Sequence, residues 1–452
     1  MTRFRELTIP AASEYQLRNA RVPAPMLARP IAGATFDGDG CALVDLVIAG
    51  DRIGTISPAG AGAANALPAA DLNGGLVWPG PVDMHAHLDK GHIVDRTRNP
   101  DGSFTGARLA TRADRGKYWT EDDVRHRMEF GLRCAYAHGV AAIRTHIDSY
   151  DGQSETSWKV FRDVRETWRG KIALQAVSIC PIDLLQGEPG TKLADLVARS
   201  GGVLGGVTRA FNEDHAGNLA DLDALLDRLF RLAAERSLDI DLHVDETDDP
   251  NAASLIHVAD AAIRHKFKGK VVCGHCCSLS VQPEWQVRET LQRCADAGIA
   301  IVSLPVVNMY LQDRGAARTP RWRGVTLIHE MRSAGIEVAI GGDNCRDPFH
   351  AYGDHDMVDT LRQAVRIAHL DHPFGDITRM IGPAPAGIMG VLPHGTIAVG
   401  APARLVFFNA RTMNELMCRP QADRILLRDG KRLGAVLPDY AELDEARGLA
   451  AE

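Results

Sequence analysis

Between residues 79 and 392 the chain repeats one pattern: a short apolar run, then an amphipathic stretch with helical spacing. The runs end near His87, His146, Cys180, Arg209, His243, His275, Leu304 and Asp343. Short apolar runs alternating with helical stretches read as buried parallel strands joined by helical crossovers. Leu219–Arg236 has the helical spacing, and Pro283–Ala297 opens on Pro283-Glu284 and stops at Gly298, a sound start and stop. Eight such units over roughly 310 residues predict an α/β fold of the (β/α)8 type, a TIM barrel. The rival is a doubly wound open sheet. It would carry a Gly-x-Gly-x-x-Gly between its first strand and helix, and the first unit here has none.

Two short β-rich pieces flank this middle. In residues 1–78, Ala42–Ala49, the turn Gly50-Asp51 and Arg52–Ile56 read as a hairpin. In residues 393–452, Ala403–Phe408, Ile425–Leu427 and the turn Arg428-Asp429-Gly430-Lys431 read alike. Neither piece is large enough for its own core, so the two are expected to pair into one small β-sandwich built from both chain ends. Pro58–Ala70, rich in Ala, Gly and Pro, reads as a mobile loop.

Charge and cysteine usage narrow the class. A net charge of −7 with no Lys/Arg-rich run argues against a nucleic-acid partner. No stretch approaches the roughly 20 apolar residues of a membrane span, and residues 1–30 hold no apolar signal core. Nine cysteines at irregular spacing do not form a disulfide framework and point to free thiols in a reducing cytoplasm. Cys273-x-x-Cys276 ends an apolar run with no second pair to complete a zinc ribbon, so these read as buried strand cysteines.

Chemistry-bearing residues sit at four of the strand ends. In Gly80-Pro-Val-Asp-Met-His85-Ala-His87-Leu-Asp89-Lys90 the two histidines are two apart, so on a strand both face one side. Alone, so short a motif fits a satisfied core pair better than metal ligands. In Ile240-Asp-Leu-His243-Val-Asp245-Glu246 a histidine closes an apolar run and Glu246 falls on the following loop, where a carboxylate could move protons. Asp245, Asp248 and Asp249 read as solvated loop acids. His275 closes Lys270-Val-Val-Cys-Gly274, and Asp343-Asn344 follows Val338-Ala-Ile-Gly-Gly342, whose glycines permit a close backbone approach. Buried histidines and acids are costly unless paired, and one metal ion would satisfy three histidines and an aspartate together.

With Arg144-Thr-His146-Ile-Asp148, Val307-Asn308-Met-Tyr-Leu311-Gln312, Arg323-Gly324-Val325 and Asp347-Pro348-Phe349, these stretches resemble the amidohydrolase superfamily, and within it the cytosine deaminase branch. The resemblance covers almost the whole chain. It implies one divalent ion, iron or zinc, held by His85, His87, His243 and Asp343. It also implies Glu246 as proton shuttle, His275 as an orienting or polarising group, and Asp343 as acceptor of the proton from an ion-activated water. No Gly-x-Ser-x-Gly elbow and no Pro-Cys-x-x-Cys deaminase motif offers another chemistry. The expected reaction is hydrolytic deamination of a small aminated nitrogen heterocycle, cytosine or a substituted cytosine first, with release of ammonia. The alternatives are removal of an alkylamine from, or opening of, a triazine-like ring on the same site, and a non-catalytic binding barrel. Association into homo-oligomers is common among such barrels.

Several residues depart from the cytosine deaminase pattern. Pro181 stands where those enzymes place a glutamine that reads the pyrimidine edge, so that contact falls to Gln186 or to backbone. Asn344 replaces a second aspartate, keeping size and losing charge. Lys90 within His-Leu-Asp-Lys, with Asp343-Asn344, is similar to the N-isopropylammelide isopropylamidohydrolase branch, and it either meets a substrate carbonyl or pairs with an acid at the barrel mouth. Trp322 and Phe349 are candidates for an aromatic wall. Arg98–Trp119, rich in Arg and Gly, reads as a loop over the mouth.

Overall fold

The structure is a computed structural model that describes residues 4–61, 67–150, 152–209, 217–315 and 317–444. The described residues form two compact units: one holds 84–135, 143–355 and 438–444, the other the remaining N-terminal residues to 83 with 136–142 and 356–437. Within Pro58–Ala70, residues 62–66 lie outside the described set, and Ala69–Asp71 forms a short strand.

Eight strands carry the repeating pattern: β1 Val82–Ala86, β2 Ala142–Asp148, β3 Ala173–Ile179, β4 Leu204–Val207, β5 Ile240–Val244, β6 Val271–His275, β7 Ala300–Ser303 and β8 Val338–Ile340. Their ends fall within a few residues of the sequence expectation. β1, β2 and β3 form one sheet in that order, and β4 to β8 form a second, parallel throughout and again in chain order. Single parallel bridges run from Val177 to Val203 and Pro181 to Val207 at one sheet edge, and from Ala86 to Asp343 at the other. Nearly every residue of these strands is buried, because helices cover the outer face while side chains fill the inner one. The crossover Leu222–Glu235 buries Leu222, Leu225, Leu226, Leu229, Phe230 and Leu232, a stripe at helical spacing. Glu284–Ala297 starts after Pro283 and ends on Gly298 at φ 65°, a left-handed cap that glycine adopts without strain.

In the other unit, Cys41–Ala49 pairs antiparallel with Arg52–Pro58 and with Glu14–Pro23. Val77–Pro79 pairs with Leu405–Phe407, which pairs with Ile425–Arg428, so residues from both ends of the chain share a sheet. The hairpin Ile425–Arg428 to Lys431–Arg432 turns on Asp429 and Gly430, both at positive φ (48° and 76°), as a two-residue hairpin turn requires. The helix Met357–Ala368 is capped by Asp356, whose carboxylate also grips Arg424 through two contacts of 2.8 and 2.5 Å.

Candidate active site

The strand ends bring five imidazoles together. His85 sits in β1 with His87 one residue past its end, His146 in β2, His243 in β5 and His275 at the end of β6. The β5–β6 register sets His243 opposite Gly274 and Val244 opposite His275. His85 packs 4.0 Å from His146, 4.6 Å from His243 and 5.2 Å from His275, ring centre to ring centre. Two glycines make this possible. A Cβ on Gly274 would lie 3.0 Å from Cε1 of His85, and one on Gly341 would lie 2.8 Å from its Cβ. The close approach expected of the glycines before Asp343 is thus an approach to His85.

Ligand atoms of His85, His87 and His243 lie within 4.8 Å of one another, as do those of His85, His275 and Asp343. Asp343 Oδ1 is 3.2 Å from Nε2 of His87 and 3.7 Å from Nε2 of His85. Neither Nδ1 of His87 nor Nδ1 of His243 has a hydrogen-bond partner among the described residues. Leaving such groups unsatisfied costs about 1–3 kcal/mol each. Burial, together with neighbouring cations and imidazoles, holds His85, His87, His146 and His243 well below the usual histidine range, so they are neutral and offer lone pairs. Burial, with Glu246 and Asp347 nearby, pushes Asp343 well above the usual carboxylate range. Neutral imidazoles around a buried carboxyl group form a donor set that fits a divalent cation.

Above this cluster lies a cavity with about 780 Å³ of empty space, open solvent at its mouth included. His87, His243, His275, Glu246, Lys90 and Asn344 are on its wall. Burial raises Glu246 to about 7, against the opposing pull of Arg209, Lys90 and an amide from Asn308. That amide donates from Nδ2 to Glu246 Oε1 at 3.0 Å and lies 3.0 Å from His275 Nδ1. Nδ1 of His275 also lies 3.4 Å from Oε1 of Glu246, so the three side chains meet at one point.

The candidate substrate residues divide. Lys90 pairs with Asp148 at 3.1 Å, as its ion-pair reading expected, and also lines the cavity. Burial alone would lower Lys90, but Asp148 and Asp89 keep its ammonium charged. Asn344 lines the cavity and donates to Asp347 Oδ2 at 2.5 Å. Pro181 and Phe349 are on the wall, with Phe104 meeting Phe349 edge to face at 5.4 Å.

Gln186 and Trp322 are not on the wall. Gln186 is exposed at the junction between the turn Ile182–Leu185 and the helix Gly187–Arg199. Trp322 is tethered elsewhere, its backbone N–H on Asp313 at 2.8 Å and its indole on Ser280 at 3.2 Å.

Two further expectations are corrected. Most of Arg98–Trp119 is a helix, Phe104–Tyr118, capped by Ser103, and it presents Phe104, Arg108 and Arg112 to the cavity at spacings of four. Asp245 is buried rather than solvated: it receives Ser254 Oγ and, at 3.1 Å, the N–H of Leu255 at the start of the helix Ser254–Arg264. His146, Asn308 and Asp148 were visible only as parts of motifs, and their place in the site emerges from the packing. Cys273, Cys276 and Cys277 are buried free thiols.

The amidohydrolase family profile matches residues 93–431. A pterin deaminase of Rhizobium rhizogenes (strain K84 / ATCC BAA-868) is 50% identical over 441 residues, covering 97% of this chain and 98% of that protein. The chain belongs to the amidohydrolase family. Two solved structures share the fold of this family member. The 5-methylcytosine deaminase of Klebsiella pneumoniae liganded with 5-fluorocytosine has a TM-score of 0.78 and 22% identity, over 94% of this chain and 98% of that one. The N-isopropylammelide isopropylaminohydrolase of Burkholderia multivorans ATCC 17616 has a TM-score of 0.70 and 24% identity, over 93% and 98%. This amidohydrolase therefore has a TIM-barrel-type α/β fold and is a hydrolase acting on C–N bonds. These relatives support hydrolytic deamination of a heterocycle, the coarser part of what the sequence led us to expect, without singling out cytosine or a substituted cytosine. No helix among the described residues is long and apolar enough to cross a membrane.

Proposed function

We propose that this amidohydrolase hydrolytically deaminates a pterin, replacing the ring amino group by an oxo group and releasing ammonia. The observation that carries the reading is the 50% identity to a pterin deaminase along essentially the full length of both chains. Pro181 on the cavity wall supports it, since it offers no side-chain donor to a pyrimidine edge. So does a cavity roomy enough for a two-ring heterocycle between Phe104 and Phe349.

We assign His85, His87, His243 and Asp343 as the residues that would hold one divalent ion, zinc or iron. Bound there, the ion would supply a water activated for attack at neutral pH. Glu246, poised near 7, takes one proton of the attacking water and passes it to the ring nitrogen beside the attacked carbon; it then takes the second, from the oxygen now bonded to that carbon, and gives it to the departing amine. Asn308 fixes the direction in which Glu246 points. His275 presents Nε2–H to the negative charge on the oxygen that adds to the attacked carbon. Lys90 and Asn344 meet the polar edge of the ring, and Phe349 its face. The C–N bond breaks, a C–O bond remains, and ammonia leaves with the proton Glu246 has given up.

The strand bridges Ala86–Asp343 and Val177–Val203 support reading the eight strands as one closed (β/α)8 barrel, and the shared sheet of Val77–Pro79 and Leu405–Phe407 supports a β-sandwich built from both chain ends. Residues 79–392 remain our assignment for the barrel. The test of function is ammonia release from pterin, 5-methylcytosine and cytosine, and isopropylamine release from N-isopropylammelide, by the metal-loaded chain. Turnover of pterin above the pyrimidines supports the reading; turnover of none sinks it. A second reading, alkylamine removal, draws on Lys90 and Asn344 sharing the cavity wall, and isopropylamine released from N-isopropylammelide would favour it.

A further inference from the structure

A second cluster of metal-ligating side chains lies in the barrel unit and shares no residue with the candidate active site. His92, Cys345 and His355 each offer a ligand atom within 4.8 Å of the others, and all three are buried. Helix Glu121–Ala137 makes room for them at Gly131, where a Cβ would lie 2.9 Å from Nε2 of His355 and 3.3 Å from Nε2 of His92. Both Nε2 atoms therefore reach the same spot on the helix. His92 and His355 hold left-handed backbone, at φ 63° and 55°, a cost non-glycine residues accept where surrounding structure requires it. Cys134, three residues after Gly131 and hence near it on the helix surface, is buried and hydrogen-bonds Asp354, the residue before His355.

We propose that His92, Cys345 and His355 form a second, structural metal site for a zinc-type divalent cation. Two imidazoles and a thiolate are a borderline-soft donor set suited to zinc in tetrahedral coordination. Each imidazole has a second nitrogen, so it can bind the ion through one and keep a hydrogen bond through the other. The placement gives the site a purpose. His92 lies five residues after His87, Cys345 two after Asp343, and His92 N–H already bonds Cys345 O at 3.1 Å. An ion here clamps the loops that follow β1 and β8, the two loops whose starts carry His87 and Asp343.

The test uses the full chain reconstituted with zinc and, separately, with Co(II). Wild type is expected to hold one more equivalent of zinc, by elemental analysis, than Cys345→Ser or His355→Gln. The cobalt form is expected to show a near-ultraviolet thiolate-to-cobalt charge-transfer band, which the sulfur-free active-site ligands cannot produce. The band should vanish in Cys345→Ser, weaken or shift in His355→Gln, and persist in His87→Asn. Absence of the band from wild type overturns the proposal without any variant. So does equal zinc content in wild type and both variants, or a band that neither Cys345→Ser nor His355→Gln changes.

Discussion

Asn308 donates its side-chain amide to Glu246, Nδ2 to Oε1 at 3.0 Å. The same amide lies 3.0 Å from Nδ1 of His275. One uncharged side chain thus touches both the proposed proton shuttle and the proposed polarising histidine.

Asn308→Ala is expected to lower kcat roughly 10- to 100-fold, the usual cost of losing a group that orients a catalytic one. Glu246→Gln removes the proton carrier itself and is expected to lower kcat roughly 10²- to 10⁴-fold. Metal content should be unchanged in both, because neither residue is an assigned ligand. Steady-state kinetics with parallel elemental analysis checks this, and metal loss in Glu246→Gln would contradict the assignment.

Gly341→Ala is expected to lower metal occupancy and activity together while the chain still folds. The added methyl would meet Cβ of His85 at 2.8 Å and Leu304 at 2.9 Å. No real Cβ sits so close, so the imidazole must move from its place beside Asp343. Metal titration of folded Gly341→Ala, monitored alongside circular dichroism, reads the effect.

Cavity substitutions should separate wall from periphery. Phe349→Ala removes a face against which a planar ring can lie and is expected to raise KM roughly 10-fold, on a stacking contribution of about 1 kcal/mol or somewhat more. Gln186→Ala is expected to leave kcat/KM unchanged, because Gln186 is exposed and off the wall.

Much of the candidate site was legible because its residues sit where periodicity changes: an apolar run that gives way to a histidine, or to glycines and an acid, announces both a strand and the end of that strand. His85, His87, His243, His275 and Asp343 all follow this rule. Asp245 does not. Its burial depends on the N-terminus of a helix beginning at Ser254, and nothing local to Asp245 signals that partner. Phe104–Tyr118 was obscured by Gly106 and Gly116, which weaken a helical reading, although Phe104, Arg108 and Arg112 share one face. Gln186 and Trp322 lie on connections, where the direction of a side chain is set by tertiary contacts rather than by spacing. Asn308 carried no signal beyond its motif, since its role arises from Glu246 and His275 converging from different strands.

Acid stability should depend on Asp356. Burial would raise its carboxyl, but the charge and hydrogen bonds of Arg424 outweigh this and hold it below its ordinary value of 3.8. A depressed carboxylate stabilises the fold above its unfolded pKa and loses that contribution as pH falls through the folded one. Asp356→Asn keeps the helix cap and removes the charge. It is expected to destabilise the chain by about 3 kcal/mol at pH 7, as breaking a buried pair does. The difference from wild type should shrink below about pH 4. Urea unfolding across pH checks the sign; a gap that widens in acid would contradict it.

The most direct test of the central claim is turnover of pterin in heavy-oxygen water by wild type and Glu246→Gln side by side. The account predicts that wild type releases ammonia and product in equal amounts, with one solvent oxygen atom in the new oxo group, and that Glu246→Gln, fully metal-loaded, is slower by at least two orders of magnitude. Ammonia release that is undiminished in Glu246→Gln, or a product without solvent oxygen, would contradict it.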